Sequence, residues 1–253
     1  VHSSSPGTGL SQGAPTVGGD NETLAPKAVI DWLCGRAKGY KELTGTDEVT
    51  AYWSSGKVGM TGTSYNGTLP LAAATTGVEG LEAIIPIAPN TSYYHYYRSN
   101  GLIRHPGGYI GEDIDCLYDF IHSGNPDRAS YCDEIIRDTE MAQGIDRTHG
   151  DYNDFWAGRD YLNHLGPMRA ATLMAHAFND LARPSSNDMR GPSVVDVLDF
   201  FSNTPARHHH RHRHLHRRRG IHVGPPPSLE RPTMRVAPPV RRSGFFVGAP
   251  PSN

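Results

Sequence analysis

The 253-residue chain carries 24 Lys and Arg, 26 Asp and Glu and three cysteines, for a formal net charge of −2. Three widely spaced cysteines without a CxxC pair argue against a disulfide framework and a zinc knuckle. No apolar run approaches the ~20 residues that cross a bilayer, so we expect no membrane partner.

The net charge is the sum of two unlike segments. Residues 205–253 hold ten of the Lys and Arg, one of the acids, seven of the fourteen His and many prolines. Residues 1–204 therefore keep 14 basic and 25 acidic side chains, a net charge of −11. The chain starts at Val1 with neither an initiator Met nor a signal-peptide pattern, so this end does not indicate a cell compartment.

The predicted elements of the first third alternate between helix and strand. After a Gly-, Ser- and Pro-rich loop over residues 1–22, apolar residues at helical spacing predict a helix over about 24–38. "KVGMTG" (57–62) and "LEAIIPIA" (81–88) are typical of short buried strands, and a helix begins at about Leu69 between them. This alternation predicts an α/β fold, a parallel sheet with helices on both faces.

Residues 91–167 interrupt the alternation. The segment is aromatic, acidic and loop-rich, and we expect helices near 113–123, 128–143 and 151–163. We interpret it as a helical cap inserted into the fold. "MRAATLMAHAFND" (168–180) then predicts a return to a strand that ends at a polar tip.

The last part of the chain has no apolar periodicity. "VVDVLDFF" (194–201) is compatible with one more helix, but "ARHHHRHRHLHRRRGIHVGPPP" cannot bury a face. A His-rich tract is typical of metal or nucleic-acid binding; we favour a disordered or artefactual tail, including a translation shifted out of frame. The expected domains are a core over 1–90, the cap or substrate-pocket insertion over 91–167, a return to the core over 168–187, and a low-complexity tail over 188–253.

"GKVGMTGTSYNGTLP" (56–70) places a serine between glycines where a predicted strand turns into a helix. A serine hydroxyl is a weak nucleophile unless a base assists it and a turn exposes it. Strained dihedrals at such a turn lift the Oγ of Ser64 above the sheet edge and direct the N–H of Tyr65 at a developing oxyanion. The segment departs from G-x-S-x-G because Asn66 replaces the second glycine, and an ordinary strand-to-helix turn also explains it.

A catalytic acid is expected at the end of a later strand. In this type of fold the chain order is Ser, then Asp or Glu, then His. "TLMAHAFND" delivers Asp180 to the carboxyl edge of the predicted sheet. The alternative is a solvated strand-end aspartate or the N-cap of a following helix.

Three segments together carry a more specific resemblance: "GKVGMTGTSYNGTLPLAAATTGVEGLEAIIPIA", "NTSYYHYYRSNGLIRHPGGYIGEDIDCL" and "GDYNDFWAGRDYL". From about Gly7 to Asp180 the chain resembles the X-prolyl dipeptidyl aminopeptidases, serine peptidases of the α/β-hydrolase fold related to cocaine esterase and the α-amino-acid ester hydrolases. In that family Gly-x-Ser-Tyr-x-Gly is the usual turn. The resemblance implies Ser64 as nucleophile, the Tyr65 N–H in the oxyanion hole and Asp180 as the acid.

The resemblance also implies a substrate pocket. "SYYHYYR" (92–98) matches the family's "SWYDYYR", with Tyr93 where Trp is usual and Tyr96 at a family Tyr. Aromatic faces suit the apolar, rigid ring of a proline. Glu112 falls where the family carries an acid that grips the substrate's free α-amino group. Packing of the aromatic residues on the insertion, and a solvated Glu112, are the alternatives.

The sequence departs from the family pattern in several places. It starts just before "PGTGLSQG", so the family's early strands and its oxyanion tyrosine have no counterpart, and after Asp180 "NDLARPSS" replaces the family's "NDWNV". The family's histidine lies in a "GGHGG" turn; "GIHVGPPP" makes His222 the candidate base, ahead of His176. The family's C-terminal jelly roll is also missing, so the chain resembles a core fragment of a partial α/β-hydrolase fold.

The expected function is release of Xaa-Pro dipeptides from peptide N-termini through an acyl-enzyme. Proline-containing peptides are the expected substrates, with no metal or organic cofactor and no nucleic-acid partner; a homodimer is left open. The alternatives are an acyl-ester or β-lactam hydrolase of the same superfamily and a non-catalytic truncated fragment whose His- and Arg-rich tail binds metal or polyanions.

Overall fold

The computed structural model describes residues 1–99, 101–104, 113–122, 130, 132–176 and 246–247. The expectations on Glu112, Asp180, His222, the helix over 194–201 and the basic tract lie outside these residues. Within them, no helix is both long and apolar enough to cross a membrane. The helices and strands are α1 (Asp20–Leu33), β1 (Gly39–Tyr40), β2 (Glu48–Val49), β3 (Val58–Thr63), α2 (Tyr65–Thr75), β4 (Leu81–Ile87), α3 (Tyr93–Tyr97), β5 (Arg98–Ser99), β6 (Leu102–Ile103), α4 (Ile114–His122), a π-helix (Asp133–Met141), α5 (Ala142–Gly144), α6 (Asp154–Ala157), a 3₁₀-helix (Tyr161–His164), β7 (Ala171–Thr172) and β8 (Phe246–Val247).

The predicted parallel sheet is confirmed. Its strand order is β3-β4-β7, and both neighbouring pairs are parallel. β7 is shorter than the strand expected over 168–180, but the pairing continues as an isolated parallel bridge between Ile87 and Ala175. The amide of Ala175 donates to Pro86 at 2.9 Å and that of Ala88 donates to Ala175 at 2.7 Å. The carboxyl ends of β3, β4 and the segment after β7 therefore meet at one edge of the sheet.

Helix α2 crosses from β3 to β4 and is buried along most of its length. One apolar cluster joins it to α1 and the sheet through Ile30, Leu71, Ala73 and Ile84. Ile85 and Ile87 on β4, and Leu173 directly after β7, are 37–58% exposed. The helices that cover the sheet in the described part of the chain thus pack on one face of it.

Helix bounds differ from the sequence expectation where contacts outside the local pattern decide them. α1 begins at Asp20 rather than near 24 because the Glu22 carboxylate accepts the Gly18 amide at its N-terminus, and it ends at Leu33, before Gly35 with φ of +75°. The helix expected over 151–163 is split in two. Its break at Asp160 pairs with Ser92 in an antiparallel bridge, which requires extended backbone there.

A second apolar cluster contains Tyr97, Tyr118 and Trp156 from residues 91–167 together with Val17 and Ala72 from earlier in the chain. Arg98 lies wholly buried beside it and binds both carboxylate oxygens of Asp113, at 2.9 and 3.0 Å. Its guanidinium also lies 4.7 Å from the centre of the Trp156 ring. A buried, bidentate ion pair therefore joins α3–β5 to the start of α4.

Candidate active site

Ser64 lies at the turn between β3 and α2 with strained backbone. Its φ is +61° and its ψ is −125°, and it is one of four non-glycine residues of the described chain with positive φ. An L-residue held in this region costs of order 1–3 kcal/mol and persists only where its surroundings enforce it. The side chain is exposed at the carboxyl edge of the sheet, so its hydroxyl is accessible from solvent.

Backbone hydrogen bonds hold this turn against the neighbouring strand. The Ser64 amide donates to the Ile87 carbonyl at 2.9 Å, while the Ser64 carbonyl accepts from Gly67 at 2.8 Å and Thr68 at 3.0 Å. The hydroxyl oxygen of Thr68 accepts the Asn90 amide at 2.8 Å. The turn is therefore attached on both sides to the end of β4 and the residues that follow it.

Two glycines make this close approach sterically possible. A Cβ at Gly62 would lie 2.1 Å from the carbonyl oxygen of Asn66, and one at Gly67 would lie 2.5 Å from the carbonyl oxygen of Ile87. Asn66, by contrast, is exposed. The second glycine is thus needed at position 67, which explains why Asn66 is accepted where G-x-S-x-G has glycine.

Tyr65 is the first residue of the 11-residue helix α2. The first four N–H groups of a helix have no acceptor within it, and the helix dipole concentrates partial positive charge there. The N–H next to Ser64 thus belongs to a helix end suited to a developing oxyanion.

A buried polar cluster lies beneath the turn. The Tyr65 hydroxyl donates to Glu22, which is 1% exposed, and the Tyr161 hydroxyl donates to the Gly18 carbonyl at 3.2 Å. Burial raises the pKa of Glu22, against the lowering effect of the hydrogen bonds from Gly18 and Tyr65. Burial, followed by the nearby Glu22 charge, also raises the pKa of Tyr65 well above 10.0, so its phenol stays protonated and acts as a donor.

The two aromatic residues expected to line the pocket differ in exposure. Tyr93 is 2% exposed, and Gly18 packs so tightly on its ring that an added Cβ would lie 2.3 Å from its Cε2. Tyr96 is half-buried and meets Tyr97 edge to face at 5.1 Å between ring centres. Of the two, Tyr96 has surface left with which to contact a ligand.

Of the expected catalytic triad, the structure describes only Ser64. Asp180, His222 and Glu112 lie outside the described residues, so their positions stay predictions. His176 is half-buried, next to Ala175 at the sheet edge that carries Ser64. Sequence reasoning missed Glu22, whose position in a Gly-rich segment ahead of the predicted helix gave no sign of its contact with Tyr65.

Two other features of the described residues lie apart from the turn. An open groove of about 590 Å³ is lined by residues 32–38, 48–52 and 54–56, at the amino end of β3 and so opposite to Ser64. Among the residues that the structure describes, no group of three or more His, Cys, Asp and Glu is placed to hold a metal. Cys34, Cys116 and Cys132 carry free thiols.

A serine on a strained turn between a parallel strand and a helix is typical of the nucleophile elbow of the α/β-hydrolases, and this is the class that the arrangement indicates. The family model for the X-Pro dipeptidyl-peptidases (S15 family) matches residues 1–223. The chain belongs to this family.

Individual relatives agree with the family. The chain is 75% identical over 181 residues to a Rhodopirellula baltica protein named "Putative Xaa-Pro dipeptidyl-peptidase", covering 71% of this chain and 29% of the relative. It is 44% identical over 188 residues to the Xaa-Pro dipeptidyl-peptidase of Streptococcus thermophilus, covering 71% of this chain and 24% of that protein. Among solved structures, a selenomethionine-labelled α-amino acid ester hydrolase is similar at 20% identity and a TM-score of 0.36, covering 58% of this chain and 25% of that one. The chain thus spans less than a third of the length of these relatives.

Proposed function

We propose that this chain carries the nucleophile of a serine peptidase that releases Xaa-Pro dipeptides from peptide N-termini. The observation that supports this most strongly is the strained, exposed Ser64 at the carboxyl end of β3, hydrogen-bonded through its amide to Ile87. Membership of the X-Pro dipeptidyl-peptidase family supplies the substrate class.

The reaction follows from the turn. Ser64 Oγ attacks the carbonyl carbon of the proline residue, and a histidine accepts the hydroxyl proton as the bond forms. The N–H of Tyr65 donates to the oxyanion of the tetrahedral intermediate, which collapses to an acyl-enzyme as the histidine returns the proton to the leaving amine. Water then releases the dipeptide by the same steps in reverse order. His222 is the candidate for the histidine.

The acid that orients this histidine is assigned to Asp180. Ala175 is bridged to Ile87, and Ile87 accepts the Ser64 amide at 2.9 Å. The chain therefore reaches the serine-bearing edge of the sheet five residues before Asp180, a distance of at most about 18 Å of extended chain. This supports placement of Asp180 near the nucleophile.

Release of a dipeptide requires a group that binds the free α-amino group of the substrate two residues before the scissile bond. We assign this role to Glu112, and Asp113, the next residue, is fully buried and held by Arg98 at 2.9 and 3.0 Å. Because Asp113 is held in place, the adjacent Glu112 is suited to bind the substrate amine at a constant distance from Ser64. Tyr96 is assigned to contact the proline ring, because Tyr93 is almost fully buried.

The proposal is tested first by labelling the folded chain with a fluorophosphonate probe, with Ser64→Ala as the matched control. Labelling of the wild-type chain alone is expected. Turnover is then compared between Ala-Pro-p-nitroanilide, its N-acetylated form and p-nitrophenyl acetate. Cleavage of the free-amine peptide substrate and rejection of the acetylated one support the dipeptidase. Turnover of the ester alone identifies an acyl-ester hydrolase and overturns the proposal. A folded chain whose Ser64 is not labelled by the probe is non-catalytic, and this result also overturns it.

A further inference from the structure

One buried carboxylate joins the two helices beneath the elbow. Glu22 lies in the first turn of α1, and its Oε2 accepts the Gly18 amide at 2.7 Å as well as the Tyr65 hydroxyl. The side chain is 1% exposed, so neither bond competes with solvent.

The link ends on the residue next to the nucleophile. Ser64 itself is held by backbone hydrogen bonds to Ile87, Gly67 and Thr68. Tyr65 anchors the first turn of α2 by its side chain, and its own N–H is the donor assigned to the oxyanion. Any rotation of that first turn moves both this N–H and the Ser64 backbone, because the two residues share a peptide bond.

A carboxylate is a costly way to hold two helices together. Burying it demands hydrogen bonds that offset its desolvation, and a packed apolar pair gives equal or greater stability without that cost. What hydrogen bonds add is direction, since their distances and angles are narrowly restricted whereas apolar contacts are not. The bonds of Glu22 are thus better suited to fixing orientation than to adding stability.

We propose that Glu22 is a positioning residue for the nucleophile: by accepting the Tyr65 hydroxyl it fixes the first turn of α2, and with it the Ser64 backbone and the oxyanion N–H. The inference rests on the proposed function for its catalytic consequence. Its structural part, the orientation of the turn, is independent of turnover.

The test compares four variants well below their unfolding temperatures. Glu22→Ala removes the acceptor and Tyr65→Phe removes the donor, and each is expected to slow fluorophosphonate labelling of Ser64 by about 10–100-fold, the range in which small misplacements act. In turnover, kcat falls while KM stays within about twofold. Glu22→Gln retains an acceptor oxygen and is expected to restore most of the rate. Tyr161→Phe removes a hydroxyl from the same cluster without touching the Glu22–Tyr65 bond and serves as the control.

Amide hydrogen exchange of a peptide covering residues 58–70 gives a readout besides activity. Glu22→Ala and Tyr65→Phe are expected to speed exchange at the turn by about tenfold, through more frequent local opening, and Tyr161→Phe and Glu22→Gln are not. If the wild-type chain fails to label while this exchange pattern holds, the proposed function falls and the positioning by Glu22 stands. Unchanged exchange in Glu22→Ala, or equal changes in Tyr161→Phe, overturns the inference.

Discussion

The α-carbon of Gly67 faces the carbonyl oxygen of Ile87 so closely that an added Cβ would lie 2.5 Å from that oxygen. The same carbonyl accepts the amide of Ser64 at 2.9 Å. One backbone group of β4 thus fixes both the Ser64 backbone and the distance between helix and sheet. Side chains at position 67 would force these apart.

Gly67→Ala is expected to lower the free energy of unfolding by about 2 kcal/mol or more, because the new methyl group clashes with a backbone carbonyl that the sheet holds in place. This outweighs the helix propensity that alanine gains over glycine, about 1 kcal/mol. Denaturant unfolding measures the change. Gly166→Ala is the control, since a Cβ there meets nothing within 4 Å. Equal stability of the two variants would contradict the tight contact.

Strain at Ser64 predicts a difference in stability between two variants that both lack the hydroxyl. Ser64→Gly removes the cost of φ at +61°, whereas Ser64→Ala keeps it. Strain of 1–3 kcal/mol less the entropy cost of glycine leaves the glycine variant more stable by about 1 kcal/mol. Thermal unfolding compares the two, and neither is expected to react with a fluorophosphonate. An alanine variant as stable as the glycine variant would show that the turn is relaxed.

Much of the sheet could be predicted from local sequence. Apolar runs bounded by glycine or proline placed β3 and β4 within one residue, and their parallel pairing followed from the helix between them. The prediction of one continuous helix over 151–163 was wrong because Asp160 pairs with Ser92, and local periodicity does not reveal a contact between residues so far apart in the chain. The strand predicted over 168–180 was too long for a similar reason, because only Ala171 and Thr172 pair regularly with β4.

The site divides in the same way. Ser64 could be predicted as a candidate because glycines around an apolar strand end form a local pattern, and the structure adds the reason for glycine at 67. Glu22 was missed because its contact is with Tyr65, 43 residues later. Asp180 and His222 lie outside the described residues and stay predictions.

The buried Arg98–Asp113 pair predicts a large effect of a single substitution. Arg98→Met leaves the fully buried Asp113 carboxylate with one remaining cationic partner among those described, Arg147 at 3.2 Å. Removing one partner of a buried pair costs about 3–5 kcal/mol because the other charge stays desolvated. Denaturant unfolding of Arg98→Met is expected to show a loss in this range.

An exposed ion pair supplies the contrast. Lys41 and Asp47 are 65% and 73% exposed at 3.3 Å, and such pairs contribute little. Lys41→Ala is expected to unfold like the wild type. If Arg98→Met also unfolded like the wild type, the buried pair would not contribute to stability as described.

The buried Glu22 predicts a pH dependence of stability. Burial raises its pKa above the usual 4.5, so the folded chain holds this proton to higher pH than the unfolded chain. The stability that this proton contributes is complete below pH 4.5 and is lost as the pH rises through the folded pKa, at up to about 1.4 kcal/mol per pH unit. The facing phenols of Tyr65, Tyr93 and Tyr161 have pKa values raised above 10.0 and do not titrate in this window.

Comparison with Glu22→Gln isolates this one group. Chemical unfolding of both proteins between pH 4 and 8 gives the difference in unfolding free energy, wild type minus variant, and this difference is expected to fall as the pH rises. Glu82→Gln, an acid-to-amide change at an exposed position of β4, is the control. A difference that rises with pH would mean that the hydrogen bonds from Gly18 and Tyr65 stabilise the carboxylate by more than burial destabilises it. Glu22 would then be an ordinary anion at the N-terminus of α1, and hydrogen bonding rather than burial would have the larger effect on its pKa.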